Sequence, residues 1–474
     1  MSSFVGRARE LELLGRVLAE VSAGSGQPGR CLLIRGRRRI GKSSLVEAFL
    51  QRADVPSLFF TAAGAPADEE LTELADAATR STLPGRDVFA DALPGNWSAG
   101  LRLLAGALPD DRPSVVVVDE VPYLMASVEG FEGVLQRAWD RDLSRKPVLL
   151  ILIGSDLSMM ESLGSYGRPF HQRGQELVIG PLNPADVAEM LGLSPAAAFD
   201  AALVTGGLPL ICARWRRGDD LRAFLRKQLS DPLSPLLVSA ERSLAAEFPD
   251  QAYARAVLGA IGSGERTFTG IVRAVGGISA STLTRAVEVL VSKRMIAAEL
   301  PVSLGSSRER RYRVADPYLR FWLAFVRPRL PEIERMRGDL ALASVRDGWE
   351  SWRGQAIEPL LRESLARLLP AQGLPAAPVV GSFWTRSNDV QIDIVGADRG
   401  PVARRLHFLG SIKWRERSPF DEHDLMDLHR HRDRVTDQPV PLIAISRAGV
   451  RASGLAATFG PAELIAAWRQ TPAD

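Results

Sequence analysis

The run Gly36-Arg37-Arg38-Arg39-Ile40-Gly41-Lys42-Ser43, continued by Ser44, fits the spacing G-x-x-x-x-G-K-[ST] at every required position. Residues of those types, so spaced, suit the binding of a nucleoside triphosphate. Glycines let backbone N–H groups close around phosphates, and a helix starting behind them adds the positive end of its dipole. Lys42 then reaches the β- and γ-phosphate oxygens, and Ser43 offers its hydroxyl to Mg2+. About seventy residues on, Asp119 and Glu120 end an apolar run. Asp119 can hold Mg2+ through water, and Glu120 can orient and polarise an attacking water. The two segments together predict ATP as ligand, Mg2+ as its cation and hydrolysis as the reaction.

Three further residues are candidates for the same chemistry. Ser155, at the end of the apolar run 147–154, is placed to sense the γ-phosphate, whereas its neighbour Asp156 reads equally as the N-cap of a helix over 157–162. Arg168 is the first choice, and Arg173 the second, for an arginine that stabilises charge on the transferring phosphoryl group.

These residues need a scaffold, and the flanking pattern supplies one. Residues 30–50 read as a buried strand, a turn and a helix whose apolar positions include Leu45, Val46, Phe49 and Leu50. The segments 113–124 and 147–156 hold strands too apolar to alternate, as in parallel sheets covered on both faces. Ligands of such open α/β sheets bind at the carboxyl ends of the strands, where Gly36, Asp119 and Ser155 all fall.

Beyond residue 250 the pattern shortens. Helices over 252–261, 269–275 and 279–293, with Gly276-Gly277 at the turn, have the order of a helix-turn-helix. Strands over 295–302 and 311–316 around the loop 303–310 would add a wing. Ser279, Ser281, Thr282 and Arg285 would face outward on the recognition helix, with Arg308, Arg310 and Arg311 near phosphates. Net charge is only +3, but ten Lys/Arg stand against five Asp/Glu between Glu265 and Arg320. The basic charge is therefore local, and double-stranded DNA is the partner it suits.

The last portion, from about 349, resembles a degraded restriction-endonuclease-like fold, whose parts would be Glu358 on a helix over 354–368, Asp393 in a strand over 390–396, and Lys413 in a strand over 405–415. Such nucleases need a second acid two residues before the lysine, and here that position is Ser411. The expectation is a degraded, vestigial site and a domain that recruits a protein partner. His423, Asp427 and His431 share a helix face four residues apart, a spacing open to a metal but more usual in a salt-bridged solvated helix.

The segments FVGRARELELL, IRGRRRIGKSSL, VVVVDEVPYL, ILIGSDLSMM, YGR, TGGLPL and RYRVADPYLRFWLAFVRP resemble the archaeal-type ATPase family, a branch of the AAA+/STAND P-loop proteins that also occurs in bacteria. The resemblance implies that Gly6 and Arg7 start a segment packing near the adenine, and that Gly207-Leu208-Pro209 join a helical lid to the core. It also implies a C-terminal domain of unknown function resembling a degraded PD-(D/E)xK nuclease.

The fold class expected is thus α/β: a P-loop NTPase parallel sheet with a helical lid (1–235), a winged-helix domain (250–330) and a small restriction-endonuclease-like α/β domain (345–474). The apolar runs at 115–118 and 148–153 are far shorter than the roughly 20 residues of a membrane span. With MSSFVGRARE lacking an apolar signal core, a cytoplasmic protein is expected. Two cysteines, Cys31 and Cys212, exclude a disulfide framework or a thiolate metal site. The function expected is an ATP-driven switch acting on nucleic acid; the rival is a signalling scaffold that holds ATP, turns over rarely and recruits a protein partner.

Overall fold

The computed structural model of the chain describes residues 4–23, 28–91, 93–248 and 251–469. Packing divides the chain into two units, Met1–Pro181 and Leu182–Asp474.

In the first unit five strands, β1 (Arg30–Arg35), β2 (Ser57–Thr61), β3 (Ser114–Asp119), β4 (Val148–Gly154) and β5 (Gln175–Val178), form one sheet. Their order is β2-β3-β4-β1-β5, and every neighbouring pair is parallel. Every residue of β3 and β4 is buried, which is why both read as unbroken Val, Leu and Ile. Leu33, Val116, Val118, Leu150 and Leu152 share a core with the helices Ala67–Thr79, Trp97–Ala107 and Phe131–Arg141. Parallel pairing brings all five carboxyl ends to one edge, with Thr61 opposite Asp119 and Arg35 opposite Gly154. Because β4 lies between β1 and β3, the residue after β4 stands between the phosphate loop and the acidic pair.

The second unit begins with the helices Pro184–Leu191, Pro195–Thr205, Leu221–Leu229 and Pro235–Glu247. Gly206 ends the second of these as a left-handed C-cap, and a Cβ on Gly207 would stand 2.0 Å from the Leu182 carbonyl oxygen. There follow the helices Ala252–Gly262, Phe268–Ala274 and Ala280–Ser292 and the antiparallel pair β6 (Ile296–Glu299) and β7 (Arg311–Val314), a winged helix. A helix of 31 residues, Gly338–Leu368, leads to β8 (Val379–Trp384), β9 (Gln391–Ala397), β10 (Leu406–Lys413), β11 (Leu442–Ser446) and β12 (Ala457–Phe459). This second sheet has the order β12-β11-β10-β9-β8; β8, β9 and β10 are antiparallel neighbours, and β10, β11 and β12 are parallel.

The packing boundary falls at residue 181, because the helices expected to form a lid share apolar cores with the winged helix and the second sheet. Val187 and Leu225 pack in one cluster with Leu258, Leu283, Trp322 and Trp349. Phe199 and Leu203 pack in another with Ile357, Ile394, Phe408 and Ile443. The helix expected over 354–368 starts sixteen residues earlier, since Ala341, Val345 and Trp349 continue its buried stripe toward the N-terminus.

A buried ion cluster ties these elements together. Asp200 Oδ2 accepts from Arg353 at 3.2 Å and from Arg447 at 2.6 Å, and Asp200 and Arg353 side chains are only 7% and 1% exposed. Truncating one member leaves the others charged in a dry site. Asp200→Ala is therefore expected to cost about 3 kcal/mol and to lower the melting temperature of the full chain by several degrees. Calorimetric melting checks this, and an unchanged transition would show the cluster to be idle.

No single helix among the described residues is long and apolar enough to cross a membrane.

Candidate nucleotide-binding site

The phosphate loop runs from the end of β1 into the helix Lys42–Ala53. Gly36 is fixed by space: a Cβ there would lie 2.4 Å from both the Ile179 carbonyl oxygen and the Ile40 Cδ1. Gly41 is fixed by conformation, at φ 85°, ψ 31°, where a side chain is strained. It is the N-cap of the helix and makes no side-chain cap, so the first-turn N–H groups have no intrahelical partner and are available to an anion. Arg39 shares the left-handed region at φ 67°.

Lys42 is buried and folds its ammonium back onto the loop, donating to the Gly36 and Arg37 carbonyls at 2.9 and 3.1 Å. Burial lowers its pKa, an effect that Glu120 and Asp119 oppose. Asp119 is 4% exposed. Its Oδ2 accepts from the Ser43 hydroxyl at 2.6 Å and its Oδ1 from the Glu120 backbone N–H at 2.9 Å. Burial raises the Asp119 pKa, and the Ser43 and Glu120 hydrogen bonds oppose that rise.

Glu120 takes φ 55°, ψ 44° as the N-cap of the helix Val121–Ser127, whose first turn contains Pro122. A non-glycine residue there stores on the order of 1–3 kcal/mol, and such strain gathers at functional positions. Its Oε2 accepts from Ser155 Oγ at 2.8 Å. Arg38 donates to Ser155 Oγ at 3.4 Å and to the Tyr123 hydroxyl at 3.0 Å. The structure thus gathers Gly36 to Ser43, Asp119, Glu120 and Ser155 at one sheet edge. Asp156 caps the helix Leu157–Gly164 through the Met159 N–H at 3.0 Å.

Three arginines near this edge have partners within the fold. Arg7 is buried, with its guanidinium on the Ile40 and Gly180 carbonyls at 3.2 and 2.5 Å and on Glu10 at 3.0 Å. It braces the phosphate loop from behind, while Gly6 beside it takes φ 79°. Arg168 pairs with Glu132 at 2.6 Å and Arg173 grips Asp140 through two bonds of 2.8 and 2.9 Å. A role for either on a phosphoryl group requires that pair to open. Two supports went unread in the sequence. Tyr123 receives Arg38, and buried Glu70 accepts the Ala63, Gly64 and Ala65 N–H groups at 2.6–2.8 Å, pinning the loop after β2. A tyrosine four residues past a strand-end acid gives a weak signal; an acid inside a helix gives none.

The C-terminal candidates do not converge on a metal site. Asp393 Oδ2 accepts from Ser411 Oγ at 3.0 Å and from the Ile412 N–H at 2.9 Å. Lys413 pairs with Asp424 at 3.4 Å rather than with Asp393, and Glu358 pairs with Arg362 at 3.3 Å. His423 lies 3.8 Å from Asp427, but His431 bonds the Gln391 carbonyl at 2.9 Å. Among the described residues no group of three or more His, Cys, Asp or Glu could hold a metal ion. In the winged helix Ser279, Ser281 and Arg285 are exposed and Thr282 is half-buried, and Arg308 and Arg310 are exposed. Arg311, expected on the wing surface, instead lies over the Trp384 ring at 4.5 Å and donates to Gln391, because β7 runs beside the second sheet.

No curated protein matches the sequence. Among solved structures, the Walker-type ATPase of Pyrococcus abyssi is 19% identical, with 68% of this chain and 96% of that one covered and a TM-score of 0.48. The ORC2 protein of Aeropyrum pernix in its ADPNP–ADP complexes is 15% identical over 73% and 98% of the two chains, with a TM-score of 0.46. Cdc6p of Pyrobaculum aerophilum is 13% identical over 72% and 97%, with a TM-score of 0.29. Residues 322–425 match a family described as archaeal and bacterial proteins of unknown function, and residues 3–152 match the AAA ATPase domain. The chain therefore carries an AAA ATPase domain followed by a segment of that archaeal and bacterial family, consistent with the archaeal-type P-loop ATPases it resembles.

Proposed function

We propose that the chain binds Mg2+·ATP at Gly36–Ser44 and Asp119, hydrolyses it with Glu120, and uses the cycle as a switch acting on nucleic acid. The observation that carries this reading is the 2.6 Å contact of Ser43 Oγ with Asp119 Oδ2, beside the Lys42 ammonium and the Glu120 carboxylate. Hard oxygen donors so placed fit Mg2+, which when bound would neutralise charge on the β- and γ-phosphates. Lys42 exchanges its two loop carbonyls for phosphate oxygens. Glu120 orients a water and takes its proton as the water attacks. Ser155, bonded to Glu120, reports whether a γ-phosphate is present. Arg168 leaves Glu132 to meet the charge that develops on the transferring group.

The modules proposed to respond are the winged helix, residues 250–330, and the C-terminal domain, residues 345–474, with the ATPase module and its lid in 1–235. Exposed Ser281 and Arg285 on the helix Ala280–Ser292 and Ser279 at its N-cap, with Arg308 and Arg310, suit double-stranded DNA. The separate pairings of Asp393 and Lys413 favour a C-terminal domain that recruits a protein partner over one that cuts DNA.

ATP turnover with and without duplex DNA tests the switch. DNA is expected to raise the rate at least several-fold and to lose its effect as salt rises, since phosphate contacts release counterions. Slow turnover that DNA leaves unchanged, with ATP retained, would favour the scaffold.

A further inference from the structure

A second gathering of charge lies within the unit Leu182–Asp474 and has no part in the nucleotide chemistry. Five arginines line one small cavity of about 40 Å3: Arg266, Arg311 and Arg313 of the winged helix, Arg320 in the helix Pro317–Phe321, and Arg362 on the helix Gly338–Leu368. Only two carboxylates, Glu299 and Glu358, line it with them. Five positive charges thus face two negative ones.

The existing contacts leave cationic capacity unused. Arg313 takes Glu299 at 2.6 Å, and Arg362 takes Glu358 at 3.3 Å and the Asp393 carbonyl at 2.9 Å. Among the described residues Arg266 hydrogen-bonds the neutral Gln355 amide, and Arg311 the amides of Gln391 and Asn388 beside the Trp384 ring, while Glu358 acts on both through space. Arg320 has least: its guanidinium, with five N–H donors, makes one long hydrogen bond of 3.4 Å, to the Ala356 carbonyl. Burial lowers Arg320 to about 10, and neighbouring Arg266 and Arg313 add to the effect. Burial, with Asp393 nearby, raises Glu358 to about 7, and Arg362 and Arg266 oppose the rise.

A guanidinium held away from water beside like charges is costly unless an acceptor meets it. An oxyanion with several oxygens can accept from more than one planar fork at once. About 40 Å3 has room for a few waters or one small oxyanion, not for a nucleoside. We propose that this cavity binds a phosphate group, as the free ion or as the terminal phosphate of a nucleic-acid strand. The strand form rests on the nucleic-acid reading above; the ion form does not. Binding in this pocket and DNA-stimulated ATP turnover can therefore fail separately.

Titration calorimetry with inorganic phosphate tests it, on the full chain carrying Lys42→Ala so that the phosphate loop contributes little. Saturable binding is expected, weakened about 10-fold or more by Arg320→Met and less by Arg320→Lys, which keeps the charge and loses the fork. If Arg320→Met melts earlier than its parent, Arg266→Gln at a half-buried position gives the reading instead, again with a loss of about 10-fold. Absent saturable binding in the Lys42→Ala chain, or binding unchanged by both Arg320→Met and Arg266→Gln, would overturn the proposal. Oligonucleotides with and without a 5′-phosphate separate the sources. Tighter binding of the phosphorylated strand, lost in Arg320→Met, assigns the strand; equal binding of the two, with phosphate ion bound, assigns the free ion.

Discussion

Lys42→Ala is expected to weaken ATP binding by roughly 10- to 100-fold, because hydrogen bonds to a charged group contribute about 1.5–3 kcal/mol and each 1.4 kcal/mol is tenfold. The ammonium already occupies the mouth of the loop on the Gly36 and Arg37 carbonyls, so binding requires only that it exchange acceptors. Loss of the side chain also frees two loop carbonyls, and the preformed curve of the loop loosens. Lys42→Arg should not rescue the site, since a planar fork cannot replace a compact ammonium inside a loop that buries it. Equilibrium titration with a fluorescent ATP analogue measures the loss. Unchanged affinity would mean that nucleotide binds elsewhere.

Glu120→Gln should behave in the opposite way, with ATP bound as tightly as in the parent and turnover reduced by about 10²- to 10⁴-fold, the range for loss of a general base. The amide keeps the shape of the side chain and can still accept from Ser155 Oγ, now 2.8 Å from Oε2. The strained backbone at φ 55° is unaffected, because it is held by the strand end and the helix behind it. What disappears is the carboxylate that takes the proton of the attacking water. Asp119→Asn is a useful contrast. It removes charge from the residue that Ser43 touches, so its defect should appear as a higher Mg2+ requirement, not as a loss of turnover at saturating Mg2+.

Much of this site was legible because its residues are fixed by local rules. A glycine at φ 85°, a lysine after it and a helix starting at once are consecutive in the chain, and the apolar runs of β3 and β4 announce strands buried on both faces. The edge strand β5 was not legible: Gln175, Glu176 and Val178 are exposed and only Leu177 is half-buried, so it shows no period. Short β2 alternates half-buried and buried residues over Ser57–Phe60 before exposed Thr61, too brief a signal to stand out. Long-range partners were equally hidden. Nothing in the order of residues reveals that Arg7 reaches Ile40, that Arg168 pairs with Glu132, or that Arg311 stacks on Trp384. The boundary at residue 181 belongs to the same class, since the spacing of Val187, Phe199 and Leu225 shows that they are apolar but not which core they enter.

Ser411 illustrates the value of a departure from pattern. It stands where a nuclease has its second acid, and it hydrogen-bonds Asp393, while Lys413 turns to Asp424. The substitution read in the sequence coincides in the structure with a serine hydrogen-bonded to Asp393 and a lysine paired elsewhere.

The central claim is that Gly36–Ser43, Asp119 and Glu120 form one hydrolytic ATP site. Phosphate release measured in a single turnover, with Mg2+·ATP loaded in parallel onto wild type and Glu120→Gln, tests it most directly. The account predicts release by wild type and ATP held intact by Glu120→Gln. Equal release from the two proteins, or none from wild type with ATP fully bound, would contradict it.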